Sequence, residues 1–175
     1  YLDSLEWDGV PRVGKLFGSY FNCGVDDYTR GVSVAWMVGA VRRIKQPGCK
    51  FDTVPVMKGG QGIGKSSGFR LLVGSDWFSD DELDIHNKDA VMNLRRIWVH
   101  EFAELRGMAK REVESAKNFL SKQFDIQRDP YMRKSRRYPR HFLFGASTNE
   151  GGYLLDQTGN RRYWPLHAKG EIDLK

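Results

Sequence analysis

The chain has 175 residues, of which 40% are hydrophobic and 29% charged, and its formal net charge is +6. This length suits one domain with a sizeable core, and no apolar run approaches the ~20 residues that a membrane-spanning helix needs. Only two cysteines, Cys23 and Cys49, are present, which excludes a disulfide framework and argues against a zinc site. We expect a cytoplasmic protein with reduced thiols, and the start at Tyr1 rather than Met indicates a fragment of a longer chain.

The first fifty residues are expected to form a mostly helical lead-in that packs on the rest of the chain. Residues 1–25 mix aromatic residues with Gly and Pro, which is typical of an irregular segment with short helices. Asp26 or Asp27 provides an N-cap for a helix that is predicted to continue to about Ile44. The apolar residues predicted on one face of this helix are Val34, Met37, Val38, Val41 and Ile44.

Strand and helix patterns alternate in the remaining chain. The predicted strands cover 53–57, 77–79, 97–100, 141–146 and 163–166, and the predicted helices cover 65–73, 88–94 and 110–119. This alternation predicts an α/β three-layer sandwich around a mainly parallel sheet of about five strands. We expect residues 51–175 to form this core, with a basic hairpin inserted near 124–140.

A glycine-rich loop follows the first predicted strand and precedes a helix. From Gly59 to Ser66 it reads GGQGIGKS, which matches the P-loop pattern GxxxxGK[ST]. Glycines let successive N–H groups point at phosphate oxygens, and the start of the helix favours the same anion. We expect Lys65 to reach the β- and γ-phosphates of ATP, and Ser66 to ligate Mg²⁺. The predicted nucleotide-binding residues are Gly59, Gly60, Gln61, Gly62, Ile63, Gly64, Lys65, Ser66 and Ser67.

Acidic residues follow the strand predicted at 97–100. Glu101 ends this strand and Glu104 comes three residues later. In a P-loop fold, an acid at the end of a neighbouring strand contributes to the magnesium site, and an acid can also orient or deprotonate the attacking water. Either Glu101 binds magnesium and Glu104 acts on water, or the roles are reversed. The alternative is a pair of surface acids after a core strand.

Three further polar residues are candidates for catalysis. Asn149 follows the strand predicted at 141–146, where its amide could hold the attacking water without titrating; an asparagine in an ordinary turn is the alternative. Arg161 and Arg162 precede the last predicted strand. They are either surface charge or the source of an arginine finger, which stabilises charge on a transferring phosphoryl group. The spacing does not choose between the two arginines.

Most of the net positive charge lies in one short segment. Between Arg128 and His141, six of fourteen residues are Arg or Lys and one is Asp. Cations neutralise nucleic-acid phosphates, and tyrosine rings offer faces on which bases stack. Pro130 and Pro139 bound a possible hairpin, and the alternative is a solvated basic loop. The predicted contacts to single-stranded DNA are Tyr131, Arg133, Lys134, Arg136 and Arg137.

Taken together, these residues resemble the virulence-associated protein E family. The matching pieces are WDGVPR at 7–12, PGCKFD at 47–52, GQGIGKS at 60–66, WFSD at 77–80, Glu101 with Glu104 and Leu105, and TGNRRYWP at 158–165. The resemblance covers almost the whole chain. The TGNRR run followed by aromatic residues and WP is specific to this family, whereas the P-loop is shared widely.

The resemblance implies a fold and a set of partners. The family is similar to superfamily-three helicases and other AAA+ ATPases, and it occurs in bacteria, prophages and mobile islands, often beside or fused to primase modules. It implies an AAA+-like core, a homo-oligomeric ring with a hexamer favoured, and a hairpin that grips single-stranded DNA. Asn149 would be the sensor residue, and Arg161 or Arg162 would reach the nucleotide of the neighbouring subunit. The E-x-x-E spacing departs from an adjacent acidic pair, so the water-activating residue stays open.

The sequence therefore predicts ATP hydrolysis coupled to movement along DNA in a phage- or island-type replication protein. The main alternative is a P-loop ATPase that loads or remodels a protein partner. A small-molecule phosphotransferase is a third class, but the sequence shows no distinct acceptor pocket or lid arginines.

Overall fold

The computed structural model describes residues 1–103, 110–149 and 160–174. The helices are α1 (Asp27–Lys45), α2 (Lys65–Val73), α3 (Lys88–Asn93) and α4 (Lys110–Ser121). The strands are β1 (Val54–Lys58), β2 (Phe78–Ser79), β3 (Val99–Phe102), β4 (Phe124–Gln127), β5 (Arg136–Pro139), β6 (Leu143–Thr148) and β7 (Tyr163–His167). No helix in the described part of the chain is both long enough and apolar enough to cross a bilayer.

Five strands form one parallel sheet, in the order β2-β3-β6-β1-β7. The predicted α/β class with a mainly parallel five-stranded sheet is thus confirmed. Strand β6 lies between β1 and β3, with Val56 opposite Ala146 and Glu101 opposite Gly145. Because parallel strands point the same way, the carboxyl ends of β1, β3 and β6 meet at one edge of the sheet.

Helices cover both faces of this sheet, which makes three layers. On one face, α1 and α2 contribute Trp36 and Phe69 to a core that includes Met57 of β1. On the other face, α3 and α4 contribute Val91 and Phe119 to a second core. Strand side chains alternate between the two faces, so β1, β3, β6 and β7 supply residues to both cores, whereas the two-residue β2 supplies Phe78 to the first core.

The predicted apolar face of α1 is wrong for three of its valines. Val34, Val38 and Val41 are exposed, whereas Trp36 and Ala40 are buried. The helix packs instead through the face that carries Trp36, Gly39 and Ala40. A side chain at Gly39 would collide with the Phe51 ring, at 2.2 Å from its nearest atom. The Trp36 Nε1–H also donates to the carbonyl of Phe144, 3.1 Å away. Close approach and this hydrogen bond determine the orientation, although the valines form the more obvious apolar row.

Strands β4 and β5 pair antiparallel and form a two-stranded sheet of their own. We call residues 124–139 the basic hairpin. Pro139 ends β5 as the sequence suggested, but Pro130 lies in the connecting loop because β4 already ends at Gln127. Arg137 lies opposite Ile126, and Tyr138 lies opposite Asp125.

Candidate nucleotide site and basic hairpin

The glycine-rich loop connects β1 to α2, as expected. Gly62 and Gly64 have φ angles of +79° and +91°, which residues with side chains rarely adopt. Gly59 is crowded: a Cβ there would lie 2.6 Å from Ile63 Cδ1 and 3.2 Å from the carbonyl oxygen of Ala168. Glycine at these positions therefore permits the sharp turn from the strand into the amino end of α2.

The Lys65 ammonium group lies inside this turn. Its Nζ donates to the carbonyl oxygens of Gly59 and Gly60, at 3.0 and 2.6 Å, and to Asn149 Oδ1 at 2.7 Å. The side chain of Lys65 is buried, whereas Asn149 is exposed at the carboxyl end of β6. The structure thus brings together two predicted catalytic residues that are far apart in the sequence.

Ser66 and Glu101 also meet. The Ser66 hydroxyl donates to Glu101 Oε1 at 3.0 Å. Glu101 is fully buried, and its second carboxylate oxygen, Oε2, has no hydrogen-bond partner among the described residues. Burial raises the pKa of this carboxyl, while hydrogen bonds from Ser147 and Ser66 act in the opposite direction. A buried carboxylate with one unpaired oxygen can accept a cation.

A cavity of about 360 Å³ joins these groups. It is lined by Gln61, Gly62, Ile63, Gly64, Lys65, Ser66 and Ser67, with Ala103, Ser147, Thr148 and Asn149. Ser147 is a residue whose role the sequence did not reveal. Its position two residues before Asn149 could have indicated it, because alternate residues of a strand share a face.

The remaining predicted catalytic residues differ in their surroundings. Glu104 lies outside the described residues. Arg161 is exposed, but Arg162 is partly buried, and its Nε donates to Ser121 Oγ at 3.0 Å and lies 3.6 Å from Asp52 Oδ2. Of the two arginines, Arg162 therefore makes contacts within its own chain that would have to break before it could reach a neighbour.

The structure divides the basic segment into different environments. Tyr131, Arg133, Lys134 and Arg136 are exposed on the basic hairpin. The guanidinium group of Arg137 lies 3.5 Å from the centre of the Phe124 ring, although the residue is exposed overall. Four predicted contacts to nucleic acid thus form an exposed cluster, and the fifth stacks within the hairpin.

One cation of this segment has a structural role instead. Arg140 is buried and forms a two-pronged ion pair with Asp125, with distances of 2.8 and 2.7 Å. It also donates to the carbonyl of Phe119 at 2.7 Å, which connects the hairpin to α4. The count of charges in the sequence therefore overstates the number of cations that can contact a polyanion.

Comparisons with known proteins agree with this architecture. Residues 2–175 match the virulence-associated protein E-like domain. The A-form apo structure of the NrS-1 C-terminal region is similar with a TM-score of 0.61 and 17% identity, covering 90% of this chain and 38% of that one. The apo A form of NrS-1 CTR(305-718) is similar with a TM-score of 0.58 and 17% identity, covering 91% of this chain and 38% of that one.

The chain thus spans well under half the length of either of these two structures, and at this identity the likeness concerns the fold. No curated protein matches the chain. The family match, in contrast, extends over nearly all of it. This chain therefore belongs to the virulence-associated protein E-like domain family.

Proposed function

We propose that this domain binds ATP with Mg²⁺ and hydrolyses it, as the motor of a replication helicase that acts on single-stranded DNA. The observation that carries the proposal is the contact between Ser66 and Glu101, 3.0 Å apart at the ends of two different elements. A hydroxyl at the start of a P-loop helix and an acid at the end of a neighbouring strand are the protein ligands that a nucleotide-bound Mg²⁺ uses.

The residues present fit a magnesium ion. Ser66 Oγ and the unpaired Glu101 Oε2 are both oxygen donors, which Mg²⁺ prefers. The described residues contain no cluster of three or more His, Cys, Asp or Glu side chains that could hold a metal alone. This agrees with a site in which phosphate and water oxygens complete the coordination. Bound there, Mg²⁺ would neutralise charge on the phosphates.

The chain's own groups have separate tasks in this proposal. When nucleotide binds, the Lys65 ammonium exchanges its hydrogen bonds to the Gly59 and Gly60 carbonyls for bonds to phosphate oxygens. The new bonds are stronger, because the phosphate oxygens are negatively charged and the carbonyls are neutral. Asn149 accepts from Lys65, so its amide lies close to the phosphate-binding group. From there it orients the attacking water without changing its protonation state. Glu104 stays a candidate for activating this water.

A homo-oligomeric ring, with a hexamer favoured, completes the site. Arg161 is the better candidate for a finger that reaches the nucleotide of a neighbouring subunit, because it is exposed and Arg162 contacts Ser121 and Asp52 of its own chain. If Arg161 acts this way, the rate per subunit rises with protein concentration. Arg161→Ala removes that rise and Arg162→Ala does not. The converse pattern reverses the assignment.

The exposed cluster on the basic hairpin is proposed to contact the phosphates of single-stranded DNA, and Tyr131 to stack on a base. We propose a primase module as a further partner, since the family often occurs beside or fused to such modules. Among the residues that the structure describes, the hairpin cluster is the part proposed to contact DNA, so its removal is the appropriate test.

The experiment measures phosphate release from Mg-ATP with and without oligo(dT). In the parent we expect hydrolysis that oligo(dT) stimulates. Changing Arg133, Lys134 and Arg136 together to Ala is expected to abolish the stimulation and leave the basal rate. The matched control changes three exposed cations elsewhere, Lys15, Arg30 and Arg42, to Ala.

Four outcomes separate the possible functions. Loss of stimulation in the hairpin variant alone supports the DNA motor. Equal stimulation in all three proteins removes the support for DNA contact by the hairpin. Hydrolysis that oligo(dT) never stimulates favours the alternative ATPase that loads or remodels a protein partner. If the parent does not hydrolyse Mg-ATP at any protein concentration, the proposed ATPase function is contradicted.

A further inference from the structure

Arg95, which precedes β3 in the chain, contacts several residues of the basic hairpin. Arg95 Nη1 donates to Asp129 Oδ1 at 2.9 Å, and Nη2 donates to Gln127 Oε1. Its guanidinium carbon lies 3.3 Å from the centre of the Tyr138 ring, and the Tyr138 hydroxyl donates to the other Asp129 oxygen. Gln127 also donates to the carbonyl of Lys88 at 3.2 Å. We call Arg95, Gln127, Asp129 and Tyr138 the Arg95 clamp.

The clamp connects the hairpin to the strand that carries Glu101. Arg95 lies in the single 3-10 turn Leu94–Arg96, between α3 and β3. Leu94 is buried, and Ile97 N–H donates to the Leu94 carbonyl at 3.1 Å. Arg95 and Glu101 are six positions apart, so a displacement of this turn is passed to the acid through a short backbone connection.

The same hairpin is also continuous with the strand that leads to Asn149. Strand β5 ends at Pro139, and β6 begins four residues later at Leu143. The hairpin therefore has connections to two site residues, Glu101 through Arg95 and Asn149 through the chain itself. A ligand on the hairpin has a short physical route to both sides of the nucleotide cavity.

The two arginines that hold the hairpin differ in a way that suggests different roles. Arg140 is buried and bridges Asp125 and Phe119, so its pairing is protected from water. In the clamp, the side chains of Arg95 and Asp129 keep 23% and 27% of their exposure. A partly solvated ion pair rearranges at low cost, whereas breaking a buried one leaves an uncompensated charge. The clamp is thus the connection that can change.

We propose that Arg95 is a positioning residue that transmits polyanion binding on the basic hairpin to β3 and Glu101. The inference rests on the proposed function for the identity of the polyanion, single-stranded DNA. Single-stranded DNA bound to Arg133, Lys134 and Arg136 displaces the hairpin. The two-pronged hydrogen bonds of Arg95 to Asp129 and Gln127 transmit that displacement to the turn before β3. Without the clamp, the hairpin binds DNA but moves independently of the acid.

The test uses Asp129→Asn, which removes one negative charge and weakens both the Arg95 and Tyr138 contacts. This change makes the hairpin more positive, so oligo(dT) binds the variant at least as tightly as the parent. Weaker attraction therefore cannot explain a loss of stimulation. Arg95→Lys keeps the charge but lacks the fork that holds Asp129 and Gln127 together. The matched control is Asp89→Asn, the same charge change at an exposed residue of α3.

Three quantities are measured for each protein: oligo(dT) affinity, Mg-ATP hydrolysis with and without oligo(dT), and hydrogen exchange of backbone amides in residues 97–103. We expect both clamp variants to keep the basal rate within about twofold and to lose stimulation by about fivefold or more, a usual size for coupling between sites. In the parent and in Asp89→Asn, oligo(dT) changes the exchange of residues 97–103. In the clamp variants that response is lost.

The outcomes for this inference and for the proposed function are separable. If Asp129→Asn and Arg95→Lys are stimulated like the parent, the coupling is overturned while the DNA motor stands. If the parent does not hydrolyse Mg-ATP, the proposed function fails, and hydrogen exchange with oligo(dT) alone still decides the coupling. A parent whose residues 97–103 do not respond to oligo(dT) overturns the inference whatever the rate of hydrolysis.

Discussion

Replacing Glu101 with Gln should stabilise the empty protein and inactivate it. Gln has nearly the same shape and keeps an oxygen that can accept from Ser66, 3.0 Å away in the parent. It removes the charge from a side chain that is fully buried and has one unpaired oxygen. If Glu101 served only to pack the core, its replacement would instead lower the stability of the protein.

The size of the stability gain follows from the burial of the carboxylate. Leaving a buried polar group unsatisfied costs about 1–3 kcal/mol, and more when it is charged. The amide has an unsatisfied group of its own, so we expect a net gain of about 1–2 kcal/mol at neutral pH. For a protein of this size each kcal/mol shifts Tm by roughly 2–4 °C, which gives a rise of about 2–8 °C.

The gain should depend on pH. Burial raises the pKa of Glu101 in the folded state above its unfolded value of about 4.3. The folded state then binds the proton more tightly than the unfolded state, so the parent loses stability as the pH rises above about 4. Gln does not titrate. Its advantage is therefore absent near pH 4 and increases toward neutral pH, until the folded carboxyl is itself ionised.

Thermal unfolding measured between pH 4 and 8, with EDTA and without nucleotide, checks the stability prediction. Phosphate release from Mg-ATP checks the activity, which should fall by about 100-fold or more because the proposed oxygen ligand of Mg²⁺ loses its charge. Glu6→Gln is the matched control, since Glu6 is exposed. A Glu101→Gln protein that melts below the parent at pH 7, or that hydrolyses ATP at the parental rate, would refute this reasoning.

Three other predictions test the site and the packing around it. Lys65→Ala should remain folded by circular dichroism and lose ATP hydrolysis by about 100-fold or more, and retained turnover would contradict the phosphate role. Gly145→Ala should cost about 1–3 kcal/mol in thermal melts, because its Cβ would lie 2.9 Å from two Phe69 ring atoms, and adding Phe69→Leu should recover part of the loss. Burial raises the pKa of Cys23 to about 12, so a thiol reagent at pH 8 should label Cys49 alone in the native protein and both cysteines in urea; fast double labelling would show that the core opens.

The elements that depend on neighbouring residues were predictable from the sequence. Helix α2 begins and ends at Lys65 and Val73 as predicted, because the glycine conformations of the loop and the start of the helix are local features. The face of α1 that is buried was not predictable. Its exposed valines at 34, 38 and 41 are as apolar as the residues that it buries, so composition alone cannot distinguish the two faces. The choice depends on how closely Gly39 lets the helix approach Phe51.

The basic segment shows the same limit for function. Its charge was evident, but the sequence could not separate exposed Arg133 from buried Arg140. Arg95 gave no signal at all, since its partners Asp129 and Tyr138 lie more than thirty positions away. Side-chain partners at such distances are chosen by the folded chain, and a single sequence does not display that choice.

By itself, then, the sequence determined the glycine-rich loop, the α/β class and the family, because each depends on a short pattern or on the order of patterns along the chain. Only the tertiary structure decided that β6 lies between β1 and β3, which places Asn149 against Lys65 and Glu101 against Ser66. The physical reason is that strand order and burial are set by the sum of many weak contacts between distant residues, and no local segment contains that sum.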